Sequence, residues 1–188
     1  MIDLKQRGLP NTIMVGGKPY SVYTDFRVWL RVSEDLQYLK PGKYVDVKYI
    51  FKNDYPPKIA INDILTFLSP PQELPRRVRT TSNAIAIDYT IDADLIWAAI
   101  LGQYGIDLVE VEELHWWKFL AMIRGLNEST KMREVMGIRC YEKHKGKDDP
   151  YEQMRMAWEI IREDDTTQEE IDHFSKVFEV PDKGQTEN

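Results

Sequence analysis

The sequence predicts a mainly α-helical protein that opens with a small β-hairpin, and three observations carry that expectation. Apolar residues recur at helical spacing through most segments of ten or more residues. Capping residues stand at the starts of those segments, and Gly or Pro at their ends. Only residues 12–23 show β-prone runs on both sides of a Gly-Gly pair. The elements group into an N-terminal lobe of hairpin plus helices over 1–68, a Pro/Arg-rich linker over 69–84, a helical C-terminal lobe over 85–180 and a disordered tail over 181–188.

Composition narrows the class. With 43% hydrophobic and 30% charged residues in 188, the chain can bury a core and is not a disordered protein. A lone cysteine, Cys140, makes no internal disulfide and rules out a zinc site built on thiolates. The N-terminus lacks the apolar run of a signal peptide, and no segment offers the ~20 uninterrupted apolar residues of a membrane helix, so the expected location is the cytoplasm. The net charge of -6 is unevenly spread. Residues 1–80 carry thirteen Lys and Arg against eight Asp and Glu, and the rest carry twelve against twenty-three. Such a split fits lobes with different partners, lobes or subunits that attract head to tail, or solvated faces that drifted apart.

Taken in order, TIMVGGKPYSVY reads as two short strands around Gly16-Gly17, since glycine supplies the positive φ of a tight turn. The Gly-Gly-Lys run is no phosphate loop: the earlier glycine and the following Ser or Thr are missing, and Pro19 stands there instead. Thr24 or Asp25 then caps a helix from Phe26 to Leu39 that aligns Phe26, Trp29, Leu30 and Leu36. Lys40-Pro41-Gly42 stops it. Residues 43–51 fit a helical stripe through Tyr44, Val47 and Phe51, or a strand alternation through Val45, Val47 and Tyr49; a helix packed antiparallel to its predecessor is preferred. After the break at Asn53 to Pro57, residues 58–68 put Ile61, Ile64, Leu65 and Leu68 on one helical face. The linker follows, stiffened by proline. Its Arg76, Arg77 and Arg79 suit a phosphate backbone or an acidic helix, or simply solvation.

The centre of the chain is Ile85 to Leu126. From Asp92 to Tyr104 a helix is expected whose seven successive apolar residues, Leu95 to Leu101, imply burial on several sides. Gly105 is placed as a left-handed C-cap, with Ile106 against Leu101. Asp107 with Glu110 then looks like a capping box, stapled by Ile106 and Val111, which would make 104–111 a rigid corner between two crossed helices. In the second helix Trp116, Phe119, Leu120 and Ile123 form the main stripe, widened by Leu114, Trp117 and Ala121, with His115, Lys118 and Met122 outward. Trp116 and Trp117 point about 100 degrees apart. They therefore span two packing partners, or one of them anchors another chain; the core of the C-terminal lobe is preferred.

Three amphipathic helices are expected next. Asn127 or Ser129 caps a run to Lys143 with Met132, Val135 and Met136 together; Asp149, Pro150 and Glu152 open one bearing Tyr151, Met154, Trp158 and Ile161; Thr166 and Glu169 open one with Ile171, Phe174 and Phe178, ended by Pro181. Faces rich in Met and aromatics, including Met156, can repack against varied helices.

No catalytic, cofactor-binding or metal-ligating set emerges. His115, His144 and His173 fall in no H-x-x-x-H spacing, and Asp88, Asp92 and Asp94 lack the glycine and final glutamate of a calcium loop. Glu163-Asp164-Asp165 reads as a corner between helices, and no nucleophile elbow or dinucleotide fingerprint appears. The residues therefore predict a non-enzymatic protein without cofactor.

Asp-Ala-Asp-Leu-Ile-Trp-Ala-Ala from Asp92, Gln-Tyr-Gly-Ile-Asp-Leu from Gln103, Leu-His-Trp-Trp-Lys-Phe from Leu114 and the later Ile138-Arg139 resemble the bacteriophage gene product fifteen family. The resemblance extends over most of the chain, with the Asp25 to Leu39 segment, the Pro-containing break and the Leu65 to Leu68 ending also fitting. It implies a protein of long-tailed phages and prophages of Gram-positive bacteria, encoded between the tail-tube and tape-measure genes, where tail-assembly chaperones lie. It implies no activity and no cofactor. Its implied partners are the helical tape-measure protein and the tail-tube protein, in the host cytoplasm, with self-association open. For partner binding the residues singled out are Arg76, Arg77, Arg79, Tyr151, Met154 and Trp158. The alternative is a nucleic-acid-binding or regulatory protein using the basic N-terminal lobe and linker; the acidic balance beyond residue 80 weighs against it.

Overall fold

The structure of the chain, a computed structural model, describes residues 2–37, 39, 45–57, 61–70, 85–141 and 150–160. Several expected features lie outside these: the Lys40-Pro41-Gly42 stop, the linker arginines Arg76, Arg77 and Arg79, the Asp149 cap, the helix expected after Thr166, and the tail. Within them the protein is mainly helical behind one antiparallel hairpin, β1 (Thr12–Val15) and β2 (Lys18–Ser21), paired Thr12 to Ser21 and Val15 to Lys18. Gly16 and Gly17 make the turn at φ 58° and 81°, a region open to glycine at little steric cost. Alternation along β1 turns Ile13 and Val15 into the core.

Helix α1 spans Phe26–Gln37. Its cap is Asp25, whose carboxylate accepts the Arg27 N–H at 3.0 Å. It buries Phe26, Trp29 and Val32, while the expected Leu30 and Leu36 are only partly covered. The helix preferred over 43–51 does not form. Residues 45–47 are irregular, Lys48–Ile50 make a single 3-10 turn, and Phe51 bridges to Val22. The backbone has better local partners than a helix would supply: the Asp46 carboxylate takes the Lys48 N–H at 3.1 Å, the Ile50 carbonyl accepts from Tyr23 at 2.8 Å, and the Lys52 N–H donates to Ser21 at 3.0 Å. The Tyr49 hydroxyl donates to Asp35 of α1 at 2.8 Å, and burial together with that bond pushes its pKa above the ordinary value. Helix α2 (Ile61–Leu68) buries Ile64, Phe67 and Leu68 but leaves the expected Leu65 exposed.

One hydrophobic cluster draws on both sides of the linker: Ile13, Trp29, Ile50 and Phe67 join Ile100, Trp116, Phe119 and Met132. Phe67 lies 4.4 Å from Trp29 and 5.6 Å from Trp117, centroid to centroid. Trp116 and Trp117 are both buried. Their indole N–H groups donate to the Leu68 and Phe67 carbonyls at 2.8 and 2.9 Å, satisfying acceptors at the end of α2 that have no partner within that helix. The pair thus packs against α2 as well as within the segment that carries it.

Helix α3 spans Ala93–Tyr104 and ends as expected on Gly105, at φ 67°, with its N–H on the Leu101 carbonyl at 2.9 Å. The rest of the corner differs. Asp107 caps no helix; its carboxylate accepts the Trp97 indole N–H and the Val109 N–H, each at 2.9 Å. Helix α4 begins only at Trp116 and runs to Arg124, capped by His115, whose ring accepts the Trp117 N–H. The intervening chain makes one turn, closed by the Val111 N–H on the Asp107 carbonyl at 2.9 Å, and is then held by α1. The Arg27 guanidinium takes the Leu108 and Val111 carbonyls at 2.9 and 2.8 Å, the Asp25 carboxylate takes the Leu114 N–H at 3.1 Å, and Phe26 and Trp116 donate to Leu114 and Thr24 at 2.8 and 2.7 Å. Within Leu108 to Glu113 only the β-branched Val109 and Val111 lower the helical preference.

Two further expectations fail here. Ala121 of α4 is exposed, and Met122 and His115 are half-buried. Helix α3 is not buried on several sides: only Ile96, Ala99 and Ile100 are, whereas Trp97 and Ala98 are exposed. Helix α5 (Lys131–Arg139) is capped by Thr130, whose hydroxyl accepts the Arg133 N–H at 3.3 Å, and it stops short of Lys143; Met132, Val135 and Ile138 are buried. Helix α6 (Pro150–Trp158) starts at the expected proline and buries none of its residues.

Candidate partner-binding surface

An amphipathic helix with no buried residue must be held by something other than its apolar stripe. For α6 that hold is largely polar. The Arg139 Nε donates to the Trp158 carbonyl at 2.7 Å, the Lys131 ammonium lies 5.6 Å from the Trp158 ring centroid, and Tyr151 stacks on Tyr141 at 5.3 Å and 27°. Along the helix, Arg155 pairs with Glu159 at 3.1 Å and approaches Glu152 at 3.9 Å.

Arg139 is itself fixed from below. Its guanidinium meets the Asp92 carboxylate in a two-pronged pair at 2.6 and 2.8 Å, and both side chains are buried. Asp92 also accepts the Asp88 N–H at 2.9 Å. Asp88 accepts the Thr90 and Ile91 N–H groups at 2.9 Å each, and the Gln37 side-chain amide as well. The two aspartates that precede α3 are therefore engaged in a buried network running from α1 through 88–92 to α5 and the end of α6. A buried ion pair of this kind holds geometry, because removing either member strands the other charge.

Between α5, α6 and Ala86 lies a cleft of about 520 Å³. Its walls include Met136, Ile138, Cys140, Tyr141 and Tyr151, with the charged Glu128, Arg133 and Glu134 beside them. Along α6, Tyr151 is 55% exposed, Met154 40% and Met156 60%. Large apolar side chains are thus gathered on one short helix beside an open cleft.

The sequence-selected residues separate on this surface. Tyr151 and Met154 stand on its exposed side, and Trp158 is half-buried beneath Lys131. Met132 belongs to the core, while Met136 from the same stripe lines the cleft. Arg76, Arg77 and Arg79 lie outside the described residues. Sequence reasoning missed Tyr141, Lys131 and Arg139. No periodicity in the sequence singles out Tyr141, and a buried arginine gives no signal until its acid is known. Among the described residues no group of three or more His, Cys, Asp and Glu is placed to hold a metal ion, and no helix is long and apolar enough to cross a membrane.

A family model described as Bacteriophage Gp15 protein matches residues 6–162. No curated protein and no solved structure matches the chain.

Proposed function

Because the chain belongs to the Bacteriophage Gp15 protein family, we propose that it is a non-enzymatic phage tail-assembly protein, a chaperone that binds the helical tape-measure protein in the host cytoplasm and helps recruit tail-tube subunits. The observation that carries this reading is α6: a helix with no buried residue, displaying Tyr151, Met154 and Met156 beside the cleft on α5. Burying one such side chain completely is worth roughly 1.5–3 kcal/mol, and association itself costs several times that. Three partly exposed side chains therefore do not hold a client tightly alone, and together with the cleft they fit a weak, reversible grip, which an assembly factor needs in order to release its client. Methionine suits the task because its unbranched side chain adapts to differing helical surfaces.

The test is co-expression with a tape-measure protein from the same phage or prophage. A larger soluble fraction of that protein, and its co-purification with this chain, is the expected result. An insoluble tape-measure protein and no co-purification would overturn the reading.

A further inference from the structure

Away from the α5–α6 cleft, α3 leaves an apolar face open. Ile96, Ala99 and Ile100 point into the core. Around the rest of the helix come exposed Trp97, Ala98 and Tyr104 and half-buried Leu101, extended by Ile91 at 58% exposure before the helix and Val109 at 75% after it. Val109 is tied beside Trp97, because one oxygen of Asp107 accepts both the Trp97 indole N–H and the Val109 N–H at 2.9 Å. Val109 and Trp97 thus flank one carboxylate across the corner.

The charged residues of this surface are acidic, although the Arg27 guanidinium, paired with Asp25, sits on the Leu108 and Val111 carbonyls of the corner. From Thr80 to Trp117 the sequence contains no Lys or Arg. Asp88 and Asp92 are buried in the network already described, but Asp94, Glu110, Glu112 and Glu113 are exposed and Asp107 is half-exposed, all on α3 or the stretch that follows it. We propose that α3 and its corner dock an amphipathic helix of another protein, one whose apolar side is flanked by Lys and Arg. Charge selects this occupant. The chain's own residues 161–188 carry three basic and nine acidic residues and would be repelled. A second copy meeting α3 to α3 would set two acidic strips face to face, and one docking head to tail through its basic residues 1–80 is the outcome that self-association abolished by Val109→Ser would reveal. A basic helix instead places its apolar stripe on Trp97, Leu101 and Val109 and its cations on the carboxylates.

The test uses two synthetic amphipathic peptides with the same Leu/Ala face, one flanked by Lys and one by Glu, titrated into the full chain by fluorescence anisotropy. The Lys-flanked peptide is expected to bind at least tenfold more tightly, with affinity falling as salt rises because exposed charges are screened. Glu110→Lys with Glu112→Lys, exposed positions, should reverse the preference, and Val109→Ser with Ile91→Ser should weaken binding tenfold at unchanged helical circular dichroism. Substitutions of Tyr151, Met154 and Met156 should leave peptide affinity unchanged, which separates this surface from the chaperone reading. Equal binding of both peptides, binding of neither, an unchanged preference in the Glu110/Glu112 variant, or self-association that Val109→Ser abolishes would each overturn the proposal.

Discussion

Arg139→Met keeps the reach of the side chain and deletes its guanidinium. The Asp92 carboxylate, buried and paired at 2.6 and 2.8 Å, then loses its counter-charge, and the Trp158 carbonyl loses the donor at 2.7 Å that ties α6 down. Removing one member of a buried pair costs about 3–5 kcal/mol. For a chain of this size each kcal/mol lowers Tm by roughly 2–4 °C, so the expected fall is on the order of 6–20 °C. Urea unfolding followed by circular dichroism measures the loss directly, and amide exchange should show α6 opening before α3. Combining Arg139→Met with Asp92→Asn removes the stranded charge while Asn can still accept the Asp88 N–H. The double variant should therefore be more stable than the sum of the singles by roughly 1–3 kcal/mol. A single variant within about 1 kcal/mol of the parent, or strict additivity, would refute the claim that this pair anchors α6.

Two further predictions concern α4. His115 accepts the Trp117 N–H on Nδ1 at 3.0 Å, which leaves Nε2 to donate to the Pro10 carbonyl at 2.9 Å, and burial pushes its pKa below the ordinary 6.5. The unfolded chain therefore protonates first: the contribution is complete above about pH 6.5 and is lost as pH falls through the depressed folded value. His115→Asn keeps a capping acceptor and should flatten that part of the pH-stability profile, and equal slopes in parent and variant would contradict it. Trp116→Phe leaves the buried Leu68 carbonyl without its 2.8 Å donor and should cost about 1–3 kcal/mol in urea unfolding. A loss of only about 0.5 kcal/mol, typical of a surface change, would mean that water reaches that carbonyl.

Much of the fold was legible where a local rule acts alone. Gly16-Gly17 and Gly105 take positive φ as their sequence contexts indicate, and Pro150 opens α6. The reading failed where distant side chains take over the backbone. The Asp107 and Glu110 spacing is a sound capping box, but Arg27 and Asp25, some eighty residues earlier, claim the carbonyls and N–H groups that a helix over 108–114 would use. Residues 45–51 were lost in the same way to Tyr23 and Ser21. On α1 and α2 the helices were right and the inward faces only partly so: Val32 and Phe67 continue the stripes of Trp29 and Ile64 at helical spacing and are buried, Phe67 between Trp29 and Trp117, while Leu30 and Leu36 are only partly covered and Leu65 is exposed. Of the candidate surface, Tyr151 and Met154 were readable as an amphipathic stripe; Arg139 and Asp92 were not, because a buried pair leaves no pattern in either segment.

The central claim is tested most directly by the affinity of the tape-measure protein for this chain and for a variant carrying Met154→Gln and Met156→Gln. Since both positions are exposed and stand outside the contacts described as holding α6, the urea midpoint and circular dichroism should stay as in the parent. Affinity should fall at least tenfold, about 1.4 kcal/mol, as the apolar contact area is removed. A stable variant that holds the tape-measure protein as tightly as the parent would contradict the account.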